Sequence, residues 1–297
     1  MKKTAIIILL VAFLVIICYP LYKNHLPQKF HNLKKGLNDK LELYLAIKEI
    51  KKFSHPSNNP ELPKIIAHAG GGVQGLKYTN SLEALEENYA KGFRWFEMDA
   101  ILTSDNQLVM LHDWGSAISG IFNQPEGKRT LKEFNEFTMI KGLTQMDFSK
   151  IAIWFENHPD SYLVLDNKSD LATTLNIINS EFSHIKPQLI ITINRFRELA
   201  IAKKSGFDNI FFSLYVSDYG LTYSDIHVIE FAKKAPIMAV CLPEYRAKSD
   251  LTNKLSDQNN IVFAFTIDDT GIAKELFNNG INGIFSNFID YTILENI

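Results

Sequence analysis

The chain has 297 residues, 46% of them hydrophobic and 22% charged, with a formal net charge of −2 at pH 7. That is ordinary globular composition, and the near balance of charge leaves no electrostatic footprint for a nucleic-acid partner. The two cysteines, Cys18 and Cys241, stand in settings that argue against a shared disulfide, and neither spacing suits a zinc site.

Met1-Lys2-Lys3 precedes an uncharged run from Thr4 to Tyr22, long enough to span a bilayer as a helix. A cleaved signal peptide competes with this reading, but no small-x-small site follows the apolar core. A lipoprotein reading of Cys18 meets Ile17 where a small residue is needed. Residues 1–23 are therefore predicted to be an uncleaved, single-pass membrane anchor. Lys23, Lys29, Lys34 and Lys35 rival Lys2 and Lys3 in the positive-inside balance. The expected orientation is a short tail inside, with the domain on the periplasmic or extracellular side.

Residues 24–62 are predicted to be a helical linker. Leu33, Leu37, Leu41, Tyr44, Leu45 and Ile47 recur at roughly helical spacing among lysines. Such a helix serves as a spacer or lies on anionic headgroups. The stretch SHPSNNPELP (54–63) closes it, because proline and asparagine punctuate rather than continue a helix.

From residue 63 to 297 strand-like and helix-like segments alternate. The strand candidates are 64–69, 93–101, 107–112, 162–168, 188–194, 209–215, 236–242, 261–267 and 282–286. Helices such as SLEALEENYAKG and DTGIAKELFNNG separate most of them, the second ending at Gly280, a C-cap residue type. Nearly continuous apolar strands between helices predict a parallel sheet covered on both faces. The size and number of units fit a (β/α)8 TIM barrel; a doubly wound open sheet is the structural alternative. No glycine-rich turn with a following acid supports a dinucleotide site. The segment from Trp114 to Asp160 breaks the rhythm, with one short helix candidate (LKEFNEF), and is expected to be an insertion over the active face.

Alternation sends residues i and i+2 to one face of a strand, so Glu97 and Asp99 point together while Phe96, Met98 and Ala100 face the other way. The same rule pairs Asp166 with Lys168. Strand ends converge on one mouth in a barrel, which lets Glu97, Asp99 and Asp166 gather around one hard divalent cation, Mg2+ or Ca2+. Salt bridges or helix caps would account for a single such acid. Two burial-prone carboxylates on one apolar strand call for a strong compensating charge. His68 and His112 end neighbouring strand candidates beside these acids. One imidazole can accept a proton from an attacking hydroxyl and the other can donate one to a leaving alkoxide. Lys168 can hold a further phosphoryl oxygen as a compact charge. The remaining six histidines lack such company and are assigned no role.

The order HAGG, TNSLEAL, FEMDA, LTSDNQLVMLHD and LVLDNK resembles the glycerophosphodiester phosphodiesterase family, within the wider barrel group that contains phosphatidylinositol-specific phospholipase C. The similarity runs over residues 63–297. FAFTIDD resembles the family's W-T-V-N strand, with Phe265 for the tryptophan, and GINGIFSN resembles its G-x-D-G-I-x-T-D ending. The resemblance implies His68 and His112 as the acid–base pair, Glu97, Asp99 and Asp166 as metal ligands, and Lys168 and Phe265 as substrate-facing residues. Asp166 stands where the family usually has Glu. The family's H-R-G is His68-Ala69-Gly70, its E-N-T is Thr79-Asn80-Ser81, and Asn287 replaces an Asp. Arg195, beyond the strand QLIITIN, is the candidate to supply the missing positive charge.

The expected function is metal-dependent hydrolysis of a glycerophosphodiester or related lipid- or envelope-derived phosphodiester, with water or a substrate hydroxyl as nucleophile. Two alternatives stand beside it. One is a membrane-tethered barrel that binds a phospho-ligand without turnover. The other is phospholipase C- or D-like cleavage of a phospholipid. A glycosidase would need acids facing each other across the cleft, whereas Glu97 and Asp99 stand side by side.

Overall fold

The computed structural model describes residues 28–54, 60–215 and 223–295. The predicted anchor, 1–23, lies outside the described residues, and within them no helix is long and apolar enough to cross a membrane. The described strands are β1 (Ile65–Ala67), β2 (Trp95–Leu102), β3 (Leu108–Met110), β4 (Tyr162–Asn167), β5 (Leu189–Ile193), β6 (Ile210–Ser213), β7 (Ala239–Pro243), β8 (Val262–Phe265) and β9 (Gly283–Ser286). All but β3 pair in parallel in the order β1-β9-β8-β7-β6-β5-β4-β2, and the pairing of Ala67 with Phe96 closes the ring. The fold is the predicted eight-stranded parallel barrel wrapped by helices, and the open sheet is excluded.

The strand QLVMLH does not join that ring. It folds back antiparallel on the end of β2, with Ala100 opposite Met110 and Leu102 opposite Leu108. Only a tight turn separates the two strands, too short for the crossover that parallel pairing needs. Asn106 takes φ 58° in it, and Thr103 Oγ1 accepts from the Gln107 amide at 2.8 Å.

Period-two alternation sorts the strand residues into two cores. Ile66, Trp95, Val164, Ile190, Phe211, Phe263 and Phe285 fill the barrel interior, while Phe96, Met98 and Ala100 join the layer packed under the helices. Gly283 is required where it stands, since a Cβ there would lie 2.3 Å from the Phe263 ring. Phe211 is fully buried between Trp95 and Phe263, with ring centroids at 6.5 and 5.5 Å. Phe211→Ala is expected to lower unfolding free energy by about 3–5 kcal/mol, through lost transfer and a residual cavity; urea denaturation followed by tryptophan fluorescence measures it.

Local signals place the helices. Ser81 caps Leu82–Ala90 by accepting from the Ala84 amide, and Asp269 caps Thr270–Asn278 through the Ile272 amide. Gly280 follows with φ 91°, the left-handed stop expected there. The helix Gln28–Ile50 buries Leu43, Ala46 and Ile50 in the outer core. Its Glu42 accepts from Tyr223 Oη at 2.9 Å, and Glu49 pairs with Lys204.

Residues 114–160 hold more structure than a loop. Ser116–Phe122 and Leu131–Glu136 are helices, the second opened by a Thr130/Glu133 capping box. Ile118, Phe122, Phe134, Met139 and Leu143 build a small core against Val109 and Leu111. Phe148–Asn157 is a third helix, leading into β4. Its buried Phe148, Ile151, Ala152 and Phe155 fall at i, i+3, i+4 and i+7; reading the whole segment as one insertion hid that period.

Candidate active site

The mouth at the C-terminal strand ends opens into a cavity of about 600 Å³. His68, Glu97, Asp99, His112, Asp166, Lys168 and Phe265 all line it, so seven of the eight candidate residues meet there. Arg195 does not. Its guanidinium Nε faces Glu198 at 3.9 Å, and Glu198 also accepts from the Asn194 and Arg195 amides, so this arginine belongs to the start of the next helix. Besides Lys168, Lys77 is a cationic side chain that lines the cavity among the described residues. Nothing in its surroundings in sequence marks it beyond proximity to Tyr78.

Glu97 and Asp99 reach the mouth from β2, and Asp166 lies level with Asp99 on β4. One oxygen of each of these three residues lies within 4.8 Å of the others. Lys168 Nζ bridges the two aspartates, 2.7 Å from Asp166 Oδ2 and 3.0 Å from Asp99 Oδ1. Asn80 holds Asp99 twice, its Nδ2 donating to Oδ2 at 2.9 Å and its Oδ1 accepting from the Asp99 amide at 3.0 Å. Asn80, the neighbour of Thr79, thus fixes one of the three clustered acids. Ala69, in place of the family arginine, donates its amide to Glu97 Oε2 at 2.9 Å.

Burial, followed by the Asp99 and Asp166 charges, pushes the Glu97 carboxyl well above its usual range. Burial also acts to raise Asp99, but Lys168, His112 and Asn80 hold it below the ordinary value. For Lys168 burial works downward and is outweighed by Asp166 and Asp99, so the ammonium is firmly protonated. Asp166 Oδ1 is buried without a hydrogen-bond partner. Such an orphaned acceptor costs free energy, and an all-oxygen carboxylate cluster with one spare ligand atom fits a hard divalent cation.

The two histidines are held by different partners. His112 Nδ1 lies 2.8 Å from Asp113 Oδ2, and Asp113 in turn accepts from the Gly115 and Ala117 amides. His68 Nδ1 lies 3.1 Å from Asn287 Oδ1, while its Nε2 faces Thr266 Oγ1 at 3.4 Å and Glu97 Oε2 at 3.7 Å. Burial lowers the His68 pKa, against the raising effect of Asp99 and Asn287, and keeps the imidazole neutral. The lining also includes the apolar or aromatic side chains Tyr78, Ala117, Ile121, Ile140 and Tyr215; Tyr78 packs edge-on against His68, and Tyr215 lies against His112 and Lys168. Ala117, Ile121 and Ile140 come from the 114–160 insertion, which therefore does border the active face.

A barrel mouth lined with acids, histidines and a lysine can hold a cation, move protons and bind an anionic group. A sequence profile described as the glycerophosphoryl diester phosphodiesterase family matches residues 68–291. The chain belongs to this family of phosphoric diester hydrolases. No curated protein matches it significantly. Among solved structures, the fold is shared with a phosphodiesterase from Oleispira antarctica in complex with the product sn-glycerol-3-phosphate (TM-score 0.60, 19% identity, covering 79% of this chain and 96% of that one). It is also shared with glycerophosphodiester phosphodiesterases from Thermotoga maritima (0.59, 18%, 77% and 96%) and Parabacteroides distasonis (0.62, 16%, 78% and 95%).

Proposed function

We propose that this chain hydrolyses glycerophosphodiesters, with His68 and His112 as base and acid and with one divalent cation, Mg2+ or Ca2+, held by Glu97, Asp99 and Asp166. The observation that carries this reading is the convergence of those five side chains and Lys168 on one cavity. A bound cation would polarise a phosphoryl oxygen and neutralise charge developing there. The neutral His68 imidazole accepts the proton of the nucleophile, water or a substrate hydroxyl, at Nε2. His112, steadied by Asp113, delivers a proton to the departing alkoxide. Lys168 holds a phosphoryl oxygen, and the glycerol phosphate carried by the Oleispira antarctica neighbour is the product class that this scheme yields.

The apolar lining residues Tyr78, Ile121, Ile140 and Phe265 favour an alcohol with an apolar part, which makes phospholipase-like cleavage of a phospholipid the second reading. The uncharged run Thr4–Tyr22 supports a membrane anchor that keeps the barrel beside such substrates, on the periplasmic or extracellular side. The test is turnover of a panel of glycerophosphodiesters and short-chain phospholipids, with Mg2+ or Ca2+ and then with EDTA. Release of glycerol phosphate that EDTA stops and added cation restores is the expected result. Binding without turnover of any diester would overturn it in favour of a ligand-binding barrel.

A further inference from the structure

We propose that Asp268 is a positioning residue: by fixing the Asn287 amide it dictates which nitrogen of His68 carries the proton. The inference rests on the acid–base role proposed for His68. Neither Asp268 nor Asn287 lines the cavity, so both act through the imidazole.

Asp268 Oδ1 accepts from the Asn287 backbone amide at 2.7 Å and from Ser286 Oγ at 3.0 Å, and its Oδ2 accepts from Asn287 Nδ2 at 2.8 Å. An ionised carboxylate only accepts, so the NH2 end of the Asn287 side chain must be the end that faces it. That leaves Asn287 Oδ1 turned toward His68 Nδ1 at 3.1 Å. An amide oxygen also only accepts. His68 must therefore carry its proton on Nδ1, and the Nε2 lone pair is left facing the cavity beside Thr266 and Glu97. Asn287 is 4% exposed, so water offers it little alternative to this arrangement.

The motifs given above carry the same two groups in the opposite order. W-T-V-N reads Phe265-Thr266-Ile267-Asp268 here, and T-D reads Ser286-Asn287. Acid and amide have changed places relative to those motifs, and in this chain the two side chains are hydrogen-bonded. Donor–acceptor logic then makes the two single substitutions harmful and the pair compatible.

In Asp268→Asn the new amide keeps its oxygen on the backbone N–H of Asn287 and turns its NH2 toward the Asn287 NH2. Asn287 must flip, present NH2 to Nδ1, and push the His68 proton to Nε2. In Asn287→Asp two carboxylates face each other with no donor between them. In the double variant the amide at 268 donates to the carboxylate at 287, which again accepts from Nδ1–H.

The experiment uses the full-length chain with 15N-labelled histidine, reading the His68 tautomer by NMR at neutral pH, together with kcat, KM and melting temperature. Wild type and the double variant are expected to give the Nδ1–H pattern, and Asp268→Asn the Nε2–H pattern. Misplacing the base costs Asp268→Asn roughly tenfold or more in kcat, with KM within about threefold and recovery in the double variant. Ser286→Ala removes another Asp268 partner without touching the amide, so it should lower the melting temperature and keep the Nδ1–H pattern. Nδ1–H in Asp268→Asn overturns the proposal, as does Nε2–H in Ser286→Ala or a folded double variant no better than the singles. If no diester is turned over, the proposed function fails and the NMR pattern alone decides this inference.

Discussion

Asp99→Asn is expected to lose about 10³-fold in kcat/KM, since polarisation by a bound cation is worth several kcal/mol and each 1.36 kcal/mol is tenfold. Glu97→Gln should behave alike. Mg2+ or Ca2+ is expected to raise the melting temperature of the parent chain through binding to the native state, and the same variants should lose that rise. In metal-free buffer the sign reverses for Glu97→Gln. Burial and the neighbouring acids raise the Glu97 carboxyl in the folded state, so its stabilising share is complete below the unfolded carboxyl pKa. That share is lost as pH rises toward the folded value. The glutamine variant carries no such penalty and should melt higher than the parent at neutral pH without cation. Thermal melts with EDTA and with added cation check both halves, and a variant that keeps the cation-induced shift would contradict the ligand assignment.

His112→Ala is expected to lower kcat by about 10²–10⁴-fold, the usual worth of a positioned proton-transfer group. Its side chain is 39% exposed and rests on Asp113 rather than in the core, so the melting temperature should hardly move. His68→Ala should cost a similar factor. A leaving group of low pKa needs no protonation, so a p-nitrophenyl phosphodiester should recover most of the His112→Ala loss and little of the His68→Ala loss. Equal recovery in both variants would reverse or dissolve the division of labour between base and acid.

Glu97 and Asp99 were legible in sequence because strand alternation is a local rule, and the same rule carried Asp166 and Lys168 to the right face. The barrel was legible for the same reason, from apolar runs separated by helices. What escaped was non-local or irregular. Asn287 meets His68 across 219 positions, and no spacing announces that contact. Arg195 was placed by its nearness to a strand end, but a glutamate three residues on holds it. Asn80 needed its left-handed φ of 51° to reach Asp99, a backbone detail that composition does not carry. The 114–160 segment mixed two surface helices with one barrel helix, and the first pair masked the third.

The direction of the helix Gln28–Ile50 has a consequence for how the protein would meet a surface. Glu42 sits beside Arg197 and Tyr223, at the mouth-side starts of two barrel helices, and Glu49 beside Lys204 at the far end of one. The helix therefore descends from the mouth toward the floor, and its first turns rise roughly 20 Å above Glu42 at 1.5 Å per residue. A chain tethered through residues before Gln28 would hang with its open end turned toward the tether, like a bell facing its own ceiling. Diesters projecting from that ceiling would meet the carboxylates head-on, whereas diesters in bulk solution would have to enter through the gap between.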